Sequence, residues 1–169
     1  HFNYEAIELD FFGLDTYADV FLNDSLIYSS ENMFIGKTVN VKKKIKKGKN
    51  NLLVKFKSPI DVGIEKYDKL GYRLPDNAND LSEIGKVPGN KKVGVFERKA
   101  PYSFGWDWGP RLVTSGIWRP IKINFWNNFQ IKDLHFTQKI KDDNALIKGE
   151  VEVFSLLDNR NVIAKIYVD

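Results

Sequence analysis

Apolar residues recur at every second position in short runs along this chain, and that period predicts β-strands. Ile7, Leu9 and Phe11 share one face, with Glu8 and Asp10 opposite, and Gly13 ends the run. Ala18, Val20 and Leu22 form the next row. Asn23-Asp24-Ser25 then reads as a hairpin turn into Leu26-Ile27-Tyr28. Val39 and Val41 precede a lysine-rich turn, and Leu52, Val54 and Phe56 alternate with Leu53, Lys55 and Lys57. Ser58-Pro59 stops that strand, because proline cannot donate to a ladder.

From Asp61 to about Lys92 the alternation fails. Glu65 to Leu70 reads as a short helix, no segment carries 12 residues of helical period, and the remainder reads as a long irregular connection. Long loops on a β scaffold are commonly functional. Strand period returns at Ile121, Ile123 and Phe125. Trp126-Asn127-Asn128-Phe129 reads as a hinge, followed by strand candidates at Ile131–Ile140, Leu146–Phe154 and Val162–Val168. Asp142-Asp143-Asn144 and Asp158-Asn159-Arg160-Asn161 turn between them. The fold class is therefore all-β, built from sandwiches. A domain boundary is expected near residue 127. The stretch 128–169 is too short for a complete sandwich of about 100 residues, so the second sandwich is expected to be truncated.

A hydrophobic content of 43% supports a packed core. No apolar run reaches the roughly 18 residues of a membrane span. The start, His1-Phe2-Asn3-Tyr4-Glu5, has neither a Met nor a secretory pattern, so the chain reads as a piece of a longer protein. There is no Cys, which removes disulfides, thiolate metal sites and cysteine nucleophiles. His1 and His135 are far apart with no ligand spacing, so no metal is expected. Abundant Lys, Asn, Ile and Phe suggest a bacterial source, with periplasm or cytoplasm as the expected compartment. Part of the net charge of +4 lies in Lys42-Lys43-Lys44-Ile45-Lys46-Lys47-Gly48-Lys49. That run has no Arg for base edges and no aromatics for stacking. A solvated turn is the favoured reading over a nucleic-acid patch.

One segment fits neither strand nor helix. Arg98-Lys99-Ala100-Pro101-Tyr102-Ser103-Phe104-Gly105-Trp106-Asp107-Trp108-Gly109-Pro110-Arg111 places a carboxylate between two indoles, with glycine on both sides. Indole faces stack on the apolar face of a pyranose, and a carboxylate accepts hydrogen bonds from its hydroxyls. On physics alone, a core role for Trp106 and Trp108 with Asp107 as a turn residue stands level with a sugar-site role. Glu97 with Asp107 as a two-carboxylate hydrolase site is disfavoured.

This segment, with Ser115-Gly116-Ile117-Trp118-Arg119 after it, resembles the N-terminal region of β-mannosidases. These sit in glycoside hydrolase family 2, with β-galactosidases and β-glucuronidases. Gly13 to Val20, Asn32-Met33-Phe34, Phe56 to Ile60 and Gly71-Tyr72-Arg73-Leu74-Pro75 extend the resemblance in the right order. It implies a jelly-roll-like, galactose-binding-like β-sandwich over 1–127, lacking its first strands, then the start of an immunoglobulin-like sandwich over 128–169. It further implies that the catalytic residues are two Glu on a (β/α)8 barrel outside this chain, acting with retention and no cofactor. Within the chain, Trp106, Asp107 and Trp108 are the implied substrate contacts. Trp118, Arg119 and Arg111 are expected to support the loop. An Arg119 pairing with Asp15 or Asp19, after a buried Ile117-Trp118, is expected; Arg111 either supports the loop or orients Asp107. Partners are β-mannosides and the remaining domains of the same chain, with self-association expected through exposed strand edges. No nucleic acid is expected as a partner. The rival is a stand-alone carbohydrate-binding module or lectin, followed by a basic interaction domain built on Lys42–Lys49.

Overall fold

A computed structural model of the chain describes residues 2–75, 91–106, 108–156, 163 and 165. Its residue contacts divide it into two units, one from Glu8 to Asn124 and one from Phe125 onward together with the first seven residues.

The strands in chain order are β1 (Ala6–Phe11), β2 (Leu14–Asp15), β3 (Tyr17–Leu22), β4 (Ser25–Glu31), β5 (Lys37–Asn40), β6 (Leu52–Lys57), β7 (Gly116–Ile117), β8 (Ile121–Trp126), β9 (Phe129–Lys141) and β10 (Asn144–Ser155). They form sheets ordered β4-β3-β6, β5-β1-β8, β2-β7 and β10-β9. All registered pairings are antiparallel.

In the first sheet β3 is central, with Val20 opposite Tyr28 on one side and Val54 on the other. Its Ala18, Val20 and Leu22 are buried, as the alternation predicts. Asn23 (φ 48°) and Asp24 (φ 65°) turn the β3–β4 hairpin. Both occupy left-handed backbone, the requirement of a type I′ turn and the reason Asn and Asp are favoured there. Phe11 of β1 meets Tyr28 of β4 with ring centroids 5.5 Å apart, so the two three-stranded sheets share a core. Phe11, Leu14, Val20, Val41, Val93 and Phe104 are fully buried in it. Glu8, expected on the polar face of β1, is buried as well, because that face is also covered.

The long connection holds a full helix, α1 (Pro59–Leu70), where only Glu65–Leu70 was expected. Ser58 is its N-cap, and its side chain accepts the Asp61 N–H. Pro59 stands in the first turn, where a missing N–H costs nothing. Gly71 (φ 76°) closes the helix by donating to Tyr67 O. The helix lies close against the segment before the aromatic loop: a Cβ on Gly63 would sit 2.6 Å from Val93 Cβ. Tyr67 meets Phe96 edge-on at 6.2 Å, and Lys66 donates to Tyr17 Oη and, at 3.3 Å, to Phe96 O.

In the other unit β9 and β10 make one long hairpin, turned at Asp142 (φ 53°). Glu5 accepts the Asn128 N–H at 2.7 Å and donates its own N–H to Asn127 Oδ1 at 2.6 Å, so the expected hinge is tied down locally. The expected strand Val162–Val168, apart from Ile163 and Lys165, and its preceding turn lie outside the described residues.

Candidate functional site

The aromatic loop leaves the fold after Lys99 and returns at Thr114. Pro101–Phe104 form a short 3-10 turn, and Phe104 anchors it in the core. Gly105 follows with φ 105° and ψ 157°, a conformation that is nearly glycine-only. It redirects the chain so that Trp106 and Gly109 exchange backbone hydrogen bonds, both at 3.2 Å. Below that tip, Leu112 N–H donates to Ser103 O at 3.0 Å. Trp106 is 39% exposed and Trp108 83%. Neither indole is packed into the core of the described residues. Asp107, between them in sequence, lies outside the described residues.

Trp106 and Trp108 border a cavity of ≈ 480 Å³. The other walls come from Asp15, Met33, Tyr102, Ser103, Gly109, Pro110, Leu112, Thr114 and Trp118. That volume and a mostly apolar wall with a few polar groups are what a small-molecule site requires. Met33 forms the back of it. Its N–H donates to Arg98 O at 3.0 Å, its carbonyl accepts from Trp118 Nε1 at 2.7 Å, and its sulfur accepts from Ala100 N–H at 3.0 Å.

Trp118 lines the cavity. Its ring meets Phe34 edge-on at 6.4 Å. The indole fits only because residue 13 has no side chain: a Cβ on Gly13 would fall 2.5 Å from Trp118 Nε1. Arg119 departs from expectation. Its guanidinium lies over the Trp118 ring at 4.1 Å, a cation–π arrangement. The acids proposed for it are committed elsewhere, Asp15 to Lys99 and Asp19 to Lys57. Ile117 and Trp118 are not buried either, since β7 is a two-residue strand near the surface. Arg111 lies over the buried Phe104 ring at 5.7 Å.

Lys99 and Asp15 form a buried ion pair that sequence reasoning passed over. In the sequence neither residue announces the other: Lys99 is one basic residue before the aromatic loop, and Asp15 is a candidate partner of Arg119. Beside them Glu97 is buried, with neither carboxylate oxygen at hydrogen-bond geometry. Burial pushes its carboxyl above the usual glutamate range, while the nearby Tyr17 hydroxyl and the Lys66 and Lys99 ammonium groups pull the other way. Burial, and then Glu97, push the Tyr17 phenol up in turn. Glu97 is not among the described residues that line the cavity, and its expected partner Asp107 lies outside the described residues.

The lysine-rich stretch connects β5 to β6 and is exposed. Asn50 organises it by accepting from Lys46 N–H and donating to Lys46 O and Gly48 O. Among the described residues no three His, Asp or Glu side chains gather in a way that could hold a metal. No described helix is long and apolar enough to cross a membrane.

Residues 1–119 match the family model described as "Glycosyl hydrolase 2 galactose-binding domain-like". Two curated relatives are similar over most of the chain. A probable beta-mannosidase of Caenorhabditis elegans is 31% identical over 150 residues, 86% of this chain and 16% of that protein. Beta-mannosidase B of Thermothelomyces thermophilus is 32% identical over 155 residues, 89% of this chain and 16% of that protein. Among solved structures, the beta-D-mannosidase from Dictyoglomus thermophilum is 37% identical, with a TM-score of 0.74 over 90% of this chain and 17% of that one. This chain thus spans about a sixth of the length of these relatives.

Proposed function

The chain belongs to the glycosyl hydrolase 2 family through its galactose-binding-like domain, and on that premise we propose that it is the non-catalytic N-terminal part of a retaining exo-β-mannosidase. The observation that carries the reading is the exposed pair Trp106 and Trp108, held on a hydrogen-bonded loop at the mouth of a ligand-sized cavity. The substrate in this reading is a terminal, non-reducing β-linked mannose. The indoles stack on its apolar face and exclude water, and Asp107 accepts hydrogen bonds from its hydroxyls. Two Glu on a (β/α)8 barrel elsewhere in the parent chain act as acid/base and nucleophile. Those two groups are expected about 5–5.5 Å apart, the spacing of a retaining pair. Arg111, Trp118 and Arg119 support the loop, and Trp118 also forms part of the cavity wall.

The domain reading is a jelly-roll-like sandwich to about residue 127, then the opening strands of an immunoglobulin-like sandwich over 128–169. What supports the second part is the β9–β10 hairpin. Phe129, Ile131, Leu134, Phe136 and Ile140 change from odd to even positions partway along β9. The register shift between Glu152 and Val153 falls at that change, with Ile131 opposite Val153 and Asp133 opposite Glu152. The bulge keeps the apolar row on one face, joined there by Val151, Val153 and Ile147 of β10. All five apolar residues of β9 are exposed, as for a sheet face built to be covered by further strands.

The test is hydrolysis of an aryl β-mannoside by this chain and by the full-length protein carrying it. Turnover by the full-length protein and none by the 169 residues is the expected result. Turnover by the 169 residues alone would place catalysis on them and overturn the assignment. One observation favours a second reading, a carbohydrate-binding module: every residue lining the cavity lies within the Glu8–Asn124 unit. Salt-insensitive binding of methyl β-mannoside by a full-length protein that lacks hydrolytic activity would establish that alternative.

A further inference from the structure

The two ends of the aromatic loop meet at one side chain. Lys99 precedes the loop and Thr114 ends it. The Lys99 ammonium donates to Thr114 O at 2.9 Å and pairs with the Asp15 carboxylate of β2. Asp15 also accepts from Thr16 Oγ1 at 2.5 Å, and its backbone is held opposite Gly116 of β7. Three levels of hydrogen bonding therefore close the loop: Lys99 to Thr114 at the base, Leu112 to Ser103 in the middle, and Trp106 with Gly109 at the tip. Only the base level uses a side chain, and that side chain is 1% exposed.

Burying an ammonium and a carboxylate costs desolvation that their attraction roughly repays, so such a pair is weak evidence for added stability. An apolar pair of similar volume would pack as well. What it could not do is bond a carboxylate on one strand and a backbone carbonyl at the far end of the loop from a single atom. An ammonium has three donors and no acceptor, which suits it to join two oxygens. The cavity walls include both of its partners, Asp15 and Thr114.

We propose that Lys99 is a positioning residue for the site. Its ammonium closes the base of the loop that carries Trp106 and Trp108 and fixes that base to β2, without touching a ligand. The closure stands on this geometry alone; its bearing on sugar rests on the β-mannosidase reading.

The test uses the full-length protein with Lys99→Met, and with the double change Lys99→Met/Asp15→Leu. The double variant leaves no carboxylate buried alone, so it carries the test if the single variant does not fold. Amide hydrogen exchange is followed by mass spectrometry. Losing a hydrogen bond from a charged donor is expected to lower protection across residues 103–112 about tenfold or more, with β3 and β6 nearly unchanged. The kcat/KM for an aryl β-mannoside is expected to fall about tenfold in the same variants. Unchanged loop protection in the double variant, or a loss spread evenly over all sheets, would overturn the closure. A loosened loop with wild-type kinetics would overturn its bearing on the sugar. A wild-type protein inactive on β-mannosides would instead remove the β-mannosidase reading, and the exchange experiment would still decide the role of Lys99.

Discussion

Gly13 and Trp118 are separated by more than a hundred residues and occupy one another's space. With the Gly13 Cβ position 2.5 Å from Trp118 Nε1, any side chain there must displace the indole. The indole is held on its other sides by Met33 O, Phe34 and Arg119, so it has little room to yield. Gly13→Ala is expected to destabilise the fold by about 1–3 kcal/mol, read by denaturant unfolding, with a shift in tryptophan emission as the bond to Met33 breaks. Glu97 is the other residue with a measurable signature. Its carboxyl titrates above the ordinary glutamate value because burial disfavours the charge. In the interval between those two values the native state holds a proton that the unfolded chain has released. Stability therefore declines as pH rises through that interval, and the contribution is intact below it. Glu97→Gln is expected to melt at a higher temperature than wild type at neutral pH, with the difference vanishing towards about pH 4. A difference independent of pH would mean that burial does not raise the Glu97 carboxyl. Neither role is legible in the sequence. Gly13 reads as the end of a strand, and Glu97 draws notice only as a disfavoured carboxylate partner for Asp107. The tryptophans were legible because their clustering with glycine is unusual in itself. Lys99 was not, since the burial of a lysine depends on partners 84 residues away in Asp15 and 15 away in Thr114.

At the scale of elements, the strands were readable wherever apolar and polar residues alternate in the sequence. β3, β9 and β10 fall close to where period-two alternation puts them. The helix was under-read for a specific reason. Ser58-Pro59 reads as the end of β6, yet the same residues are an N-cap and a first-turn proline. With Gly71 as the far cap, both ends of α1 were written in the sequence, while its apolar face was too weakly patterned to announce it. β2 and β7 were invisible because two-residue strands carry no period. The β9–β10 hairpin offers a direct test of its exposed apolar row. Leu134→Glu with Phe136→Glu places charges on that face. If the row drives the expected self-association of these 169 residues, the variant is monomeric by sedimentation at concentrations where wild type is not. Equal sedimentation of the two would assign self-association to some other surface, or show that there is none.

For the whole molecule, the family is carried by likeness along nearly the entire chain, and the site by a short loop within it. Residues 1–119 match the family model, and the fold is shared with a solved beta-D-mannosidase over 90% of this chain. In the proposed reading, contact with the sugar rests on a loop of aromatic residues that no strand periodicity explains. Spanning about a sixth of its curated relatives, the chain contributes walls and contacts in this reading, while the bond-breaking groups lie elsewhere. The most direct measurement is the kcat/KM of the full-length protein for an aryl β-mannoside, compared between wild type and Asp107→Ala. Removing a charged acceptor from sugar hydroxyls is expected to lower it about 10- to 150-fold while the melting temperature holds. Efficient hydrolysis by wild type with no loss in Asp107→Ala would contradict the claim that this chain reaches the bound sugar through that loop.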